Sequence, residues 1–164
     1  MSSLIFTVYG TPVPQGSMKA FIPPGFSRPI ITSDNEKLKP WRNEVAGCAL
    51  VEMKRNKFER CGRRVPIVIE VTFFFHPTKD RRMVHKTTKP DIDKLLRAML
   101  DALTGIVFED DAQVTDCILR KRFDSPARVE ITINDDLASD QGFLALPPSV
   151  PMMPRAIKGK DVPF

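Results

Sequence analysis

The sequence predicts an α/β (mixed α+β) domain: a small mixed sheet with two main helices, in the order β-α-β-α-β-β. Three observations predict it. Ile92, Leu95, Leu96, Met99, Leu100 and Leu103 recur at helical spacing and form one apolar stripe. Residues 65–75, VPIVIEVTFFF, are dense in β-branched and aromatic side chains, the composition of a buried strand. Residues 114–123 and 128–134 read as two further strands, and Asp124-Ser125-Pro126-Ala127 between them reads as a hairpin turn.

The remaining elements follow in order. Residues 4–9 read as a short first strand. Residues 10–33 hold Pro12, Pro14, Pro23, Pro24 and Pro29 with three glycines, so they read as a long irregular loop. Ser33 or Asp34 is placed to cap a helix running to about Asn56, with Pro40 in its opening turns. Trp41, Val45, Cys48, Ala49, Val51 and Met53 supply its apolar positions. Residues 76–88 read as a basic loop. The expected division is a folded domain over residues 1–136 and a Pro-rich tail over 137–164, extended or disordered. A tail that docks on a second subunit is the alternative.

The chain has 164 residues, the length of one domain. No apolar run approaches the ~18 residues of a membrane span. The N-terminus lacks the basic start and long apolar core of a signal peptide, so the expected compartment is cytoplasmic, with no membrane partner. Cys48, Cys61 and Cys117 are odd in number and form no C-x-x-C pair, and His76 and His85 lie far from any cysteine pair. That pattern argues against a disulfide framework or a thiolate zinc site and for reduced, packed thiols. His76 reads as structural or loop surface, and His85 joins the basic loop. A hard metal held by carboxylates stays open.

The net charge of +5 is unevenly placed. Residues 54–64 net +5 and residues 79–89 net +4, so the rest of the chain is acidic. Clustered Lys and Arg are the electrostatic footprint of polyphosphate binding. The candidate DNA contacts are Arg63, Arg64, Arg81, Arg82, Lys86 and Lys89, with Lys94 in the following helix and Lys19 in the Pro-rich loop. The plain alternative is a solvated surface, with Phe21 and Phe26 tying the long loop to the core.

The acids form two groups. Asp91 and Asp93 open the helix that follows Pro90, and Glu109-Asp110-Asp111 come after it. Acids at a helix N-terminus have an ordinary explanation, because free N–H groups and the dipole favour them there. Asp93, Arg97 and Asp101 also suit an acid–Arg–acid ladder. Reach allows more. A helix over 91–104 travels ~20 Å at ~1.5 Å per residue. Seven extended steps from Thr104 to Asp111 return ~23 Å, and Gly105 permits the reversal. Asp110 or Asp111 can then meet Asp91 and Asp93. Converging carboxylates need protons or a cation, and an oxygen-only set selects Mg²⁺, with Mn²⁺ as substitute. With basic loops around it, such a site suits a phosphodiester substrate, and a metal-dependent nuclease leads the readings.

At these residues the chain resembles the RusA family of Holliday junction resolvases, especially its phage-borne branch. The resemblance rests on KPDIDKLLRAMLDALTG and EDDAQV at their mutual spacing, and extends to GTPVPQGSMKAF and SDNEKLKPWRNEVA. It implies a RusA-like mixed fold, a homodimer, and Mg²⁺-dependent cutting of branched double-stranded DNA in recombination and repair. It places the metal-binding acids on Asp91, Asp93 and Asp111, with Asp110 assisting. Two positions depart from the family pattern: Lys94 stands where Asn is common, and Arg97 where Lys is common. Arg97 is effectively never deprotonated, so its expected role is stabilising phosphate charge and not moving a proton. The rival reading is a non-catalytic basic DNA-binding protein whose clustered acids are helix caps.

Overall fold

A computed structural model describes residues 2–16, 18–22, 24–25, 27–28, 30–33, 35–77 and 83–135. The elements are β1 (Ser3–Tyr9), β2 (Met18–Phe21), β3 (Ile30–Ser33), α1 (Leu38–Asn56), β4 (Ile67–Phe75), α2 (Ile92–Leu103), β5 (Val114–Phe123) and β6 (Arg128–Asp135). The main sheet has the order β1-β6-β4-β5, and β2 with β3 makes a separate hairpin. The mixed fold and the order of its main elements are as the sequence predicts. The added hairpin lies inside the stretch that reads as irregular loop.

β4 occupies the interior because its alternate residues Ile67, Ile69, Val71, Phe73 and Phe75 all point into the core. Leu4, Val8, Ile131 and Ile133 add to the same face from β1 and β6. Both helices cover that face. α1 contributes Trp41, Val45, Ala49 and Met53, one stripe at four-residue spacing, and α2 contributes Leu95, Met99 and Leu103. Fully burying side chains of this size contributes about 1.5–3 kcal/mol each before conformational entropy is charged. Gly10 ends β1 at φ 124°, and an added Cβ would stand 3.6 Å from the Trp41 ring.

Four local expectations are corrected. The segment 124–127 is not a hairpin turn, because β5 and β6 do not pair. β6 lies antiparallel between β1 and β4, while β5 lies parallel on the far side of β4. The segment instead crosses the end of β4, where the Asp124 N–H donates to the Phe75 carbonyl at 2.9 Å. α1 begins at Leu38, not after a Ser33 or Asp34 cap. Ser33 closes β3, Asp34 is outside the described residues, and a turn at Asn35 precedes the helix. Val51 is exposed, being off the Trp41–Met53 stripe. All three thiols are free, but Cys117 is exposed on β5 and is not a packing residue.

Parallel pairing dictates where the acids stand. β4 and β5 pair from Ile67–Val114 to Phe75–Phe123, with one register shift just after Ile67. The chain between them must therefore return from the Phe75 end to the Ile67 end, and α2 makes that return. The first turn of α2 stands by the end of β5, and residues 104–113 stand by its start.

Candidate active site

At the first end, Asp91 is the N-cap of α2, with φ −70° and ψ 142°, yet its side chain makes no capping hydrogen bond. A carboxylate at this position usually accepts from the second or third helical N–H. Asp91 does not, and its side chain is half exposed. Asp93, in the first turn, is exposed and its side chain has no partner among the described residues. The nearest charge to Asp91 is Lys94, with Nζ 3.4 Å from Oδ2. A cleft of about 580 Å³ opens beside Asp91, walled by Gln15, Phe75, Lys86, Lys89 and Lys94.

The chain around this cleft is held by backbone bonds. The Gln15 N–H donates to the Lys94 carbonyl at 2.9 Å, so the loop after β1 lies on the first turn of α2. The Gln15 side chain accepts from Arg42, whose guanidinium also pairs with Asp101. Lys121, late in β5, donates from Nζ to the carbonyls of Thr88 (3.0 Å) and Pro90 (2.7 Å) and fixes the approach to Asp91. Lys86 sits over the rings of Phe75 and Phe123, at 5.0 and 5.3 Å from their centroids. His76 is exposed, and His85 is exposed and hydrogen-bonded to Arg122.

At the second end, Asp110 is a working cap. Its Oδ1 accepts from the Ala112 N–H at 2.9 Å, and Gln113 Oε1 accepts from the N–H groups of Glu109 and Asp110. This is a capping box on the 3₁₀ turn Asp111–Gln113. Gln113 Nε2 ties the turn to the carbonyls of Gly62 (2.8 Å) and Val65 (3.2 Å). Asp111 is exposed, and its side chain has no partner among the described residues. Arg63 and Arg64 line a second cleft of about 540 Å³ with Asp110 and Gln113, and Arg63 pairs with Glu109 at 2.8 Å.

The convergence expected within one chain does not occur. Asp91 stands by Lys121 and Asp111 stands just before Val114, at opposite ends of β5. The seven residue steps from Val114 to Lys121 span ~23 Å. Among the described residues no group of three or more His, Cys, Asp or Glu side chains is gathered to hold a metal ion. The physical reason lies in residues 104–113. They do not run extended beside α2. Gly105, at φ 78°, reverses the chain, its N–H donates to the Phe108 carbonyl, and the Cys61 N–H binds the Val107 carbonyl. β5 itself makes the journey back, after Asp111 has been placed.

The other candidates divide the same way. Lys86, Lys89 and Lys94 share the cleft of Asp91, and Arg63 and Arg64 the cleft of Asp110. Arg97 is exposed and lines neither cleft. The acid–Arg–acid ladder is absent, because Asp101 pairs with Arg42. Arg81, Arg82, Phe26, the side chains of Lys19 and Phe21, and the tail over 137–164 lie outside the described residues. Sequence reasoning missed Gln15, Gln113 and Lys121. Only Gln113 carried a readable signal, the D-x-x-Q spacing of a capping box.

Carboxylates stand beside basic side chains in both clefts, and comparisons with known proteins identify the family. The family model described as Endodeoxyribonuclease RusA matches residues 10–134. The chain belongs to the RusA endodeoxyribonuclease family. It is 28% identical over 142 residues to the "Uncharacterized protein YqaN" of Bacillus subtilis (strain 168), covering 82% of this chain and 98% of that protein. It is 31% identical over 87 residues to the "Crossover junction endodeoxyribonuclease rusA" of Lactococcus phage r1t, covering 51% of this chain and 66% of that protein. Among the described residues no helix is long and apolar enough to cross a membrane.

Proposed function

We propose that this protein is a Mg²⁺-dependent, homodimeric endodeoxyribonuclease that resolves four-way DNA junctions in recombination and repair. The observation that carries the reading is Asp91. It occupies a cap position, leaves the capping bond unmade, and opens onto a cleft lined by three lysines. The rival reading, acids as caps alone, accounts for Asp110 but not for Asp91, Asp93 or Asp111.

The donor chemistry suits a hard divalent cation, since every candidate ligand is a carboxylate. One protomer offers two half-sets. β5 is an edge strand, with no sheet partner beyond β4 over residues 114–120 among the described residues, and Ile118 is 46% exposed on it. Antiparallel pairing of β5 with β5 of a second copy about a two-fold axis brings the start of one strand beside the end of the other. Asp91 and Asp93 then face the partner's Asp111, and two equal sites result. Two sites match the two strands that a junction resolvase must cut.

When bound there, the cation supplies water activation and offsets phosphate charge. The chain's own residues do the rest. Lys89, Lys94, Arg63 and Arg64 hold backbone phosphates without reading sequence. Lys94 leaves Asp91 for phosphate when a cation takes its place. Arg97, on the face of α2 that carries Asp93, remains a candidate for transition-state charge. The nuclease unit comprises residues 1–136, with 137–164 as an appended tail, acting in the cytoplasm, where free thiols persist.

The test is a labelled synthetic four-way junction incubated with Mg²⁺, with Mn²⁺, and with EDTA. We expect cutting to 5′-phosphate and 3′-hydroxyl ends, abolished by EDTA and by Asp91→Asn, with junction binding retained in that variant. Binding without cutting by the wild type would favour the non-catalytic reading.

A further inference from the structure

We infer that Lys86 is a catalytic residue of this nuclease, holding its ammonium against the scissile phosphate to stabilise charge in the transition state. The inference rests on the proposed phosphodiester cleavage and names the cation that serves it. Lys86 lines the cleft of Asp91 together with Phe75. Its Nζ stands over two rings, Phe75 and Phe123, which end the paired strands β4 and β5. Nζ also donates to Thr88 Oγ1 at 2.9 Å, and its backbone N–H donates to the Lys121 carbonyl at 3.2 Å. The side chain is fixed at three points and half-buried, whereas Lys89 and Lys94 are exposed. Preorganised charge contributes most where charge develops, because nothing must reorganise during reaction, while mobile surface lysines serve ground-state binding. Partial burial, and then the charge of Lys121, hold the Lys86 ammonium below the usual lysine pKa. A phosphate oxygen would relieve both.

In the step itself, the water oxygen bonds to phosphorus as the P–O3′ bond breaks. One water proton passes to solvent, and the departing 3′ oxygen takes a proton from solvent. Lys86 donates hydrogen bonds to a non-bridging oxygen throughout and keeps its protons. Arg97 lines neither of the two clefts described above, so the fixed cation in the cleft of Asp91 is Lys86, in the loop before α2.

The experiment compares wild type, Lys86→Met and Lys86→Arg on a four-way junction. It records kcat and KM with Mg²⁺, junction affinity in EDTA, and the melting temperature of each protein. Lys86→Met should lower kcat by about 10²–10³-fold, the effect of removing one transition-state donor, with KM and affinity within about threefold of wild type. Lys86→Arg keeps the charge over the rings and should stay within about tenfold of wild type. A folded Lys86→Met with full kcat and weakened affinity overturns the inference, leaving a binding lysine only. So does a folded Lys86→Arg whose kcat falls about 10²-fold or more below wild type, which decides the matter even if Lys86→Met fails to fold. A wild type that binds the junction and cuts nothing overturns the nuclease reading itself, and the inference with it.

Discussion

Asp110 and Asp111 are neighbours with different duties. Asp110 accepts the Ala112 N–H and belongs to a capping box, and Asp111 has no such bond. Asp110→Ala should therefore cost about 1 kcal/mol, the usual loss for a removed N-cap, measured by urea unfolding. Asp111→Asn should leave unfolding unchanged and abolish Mg²⁺-dependent cutting. The reverse pattern would exchange their roles. Lys94 is a second instructive position, because its ammonium lies 3.4 Å from Asp91, where it would compete with the cation proposed above. An exposed pair of this kind contributes about 0.2–1 kcal/mol. Lys94→Asn should thus lower the Mg²⁺ concentration for half-maximal cutting by up to about fivefold. An unchanged requirement would show that the pair does not guard the site. Of these assignments the sequence carried the acid types and their helix-start position. It did not distinguish a cap in use from one unused, because that depends on a rotamer and not on spacing.

At the scale of elements, α2 was legible because one apolar stripe on one helix determines both its type and its buried face. β4 was legible from composition alone. The partner of each strand was not. β5 and β6 follow one another with turn residues between them, yet β4 separates them in the sheet. Adjacency in sequence favours pairing, but a parallel β4–β5 pair joined by α2 buries the stripe of α2 and outweighs a local hairpin. The acidic convergence failed for the same cause: reach arithmetic bounds where Asp111 can go, and the strand that follows it decides. The open edge of β5 leads to an element-level prediction. Outward amides of residues 114–120 should exchange slowly with deuterium at high protein concentration and quickly on dilution, if β5 pairs across the dimer. Fast exchange at every concentration would place the interface elsewhere.

For the whole molecule, the main consequence of the fold is that one protomer carries its acids at two ends of one strand. Each end has its own cations: Lys86, Lys89 and Lys94 beside Asp91, and Arg63 and Arg64 beside Asp110. In the proposed dimer a two-fold partner would turn two incomplete ends into two complete sites, so cutting and assembly would become one property. Subunit mixing tests this directly. Asp91→Asn and Asp111→Asn proteins, each inactive alone, are unfolded together, refolded as mixed dimers and assayed on a four-way junction with Mg²⁺. If sites are shared, each mixed dimer has one intact pair of ends, and random pairing restores about a quarter of wild-type site activity. If each protomer builds its own site, every site in the mixture keeps one defect, and no activity returns.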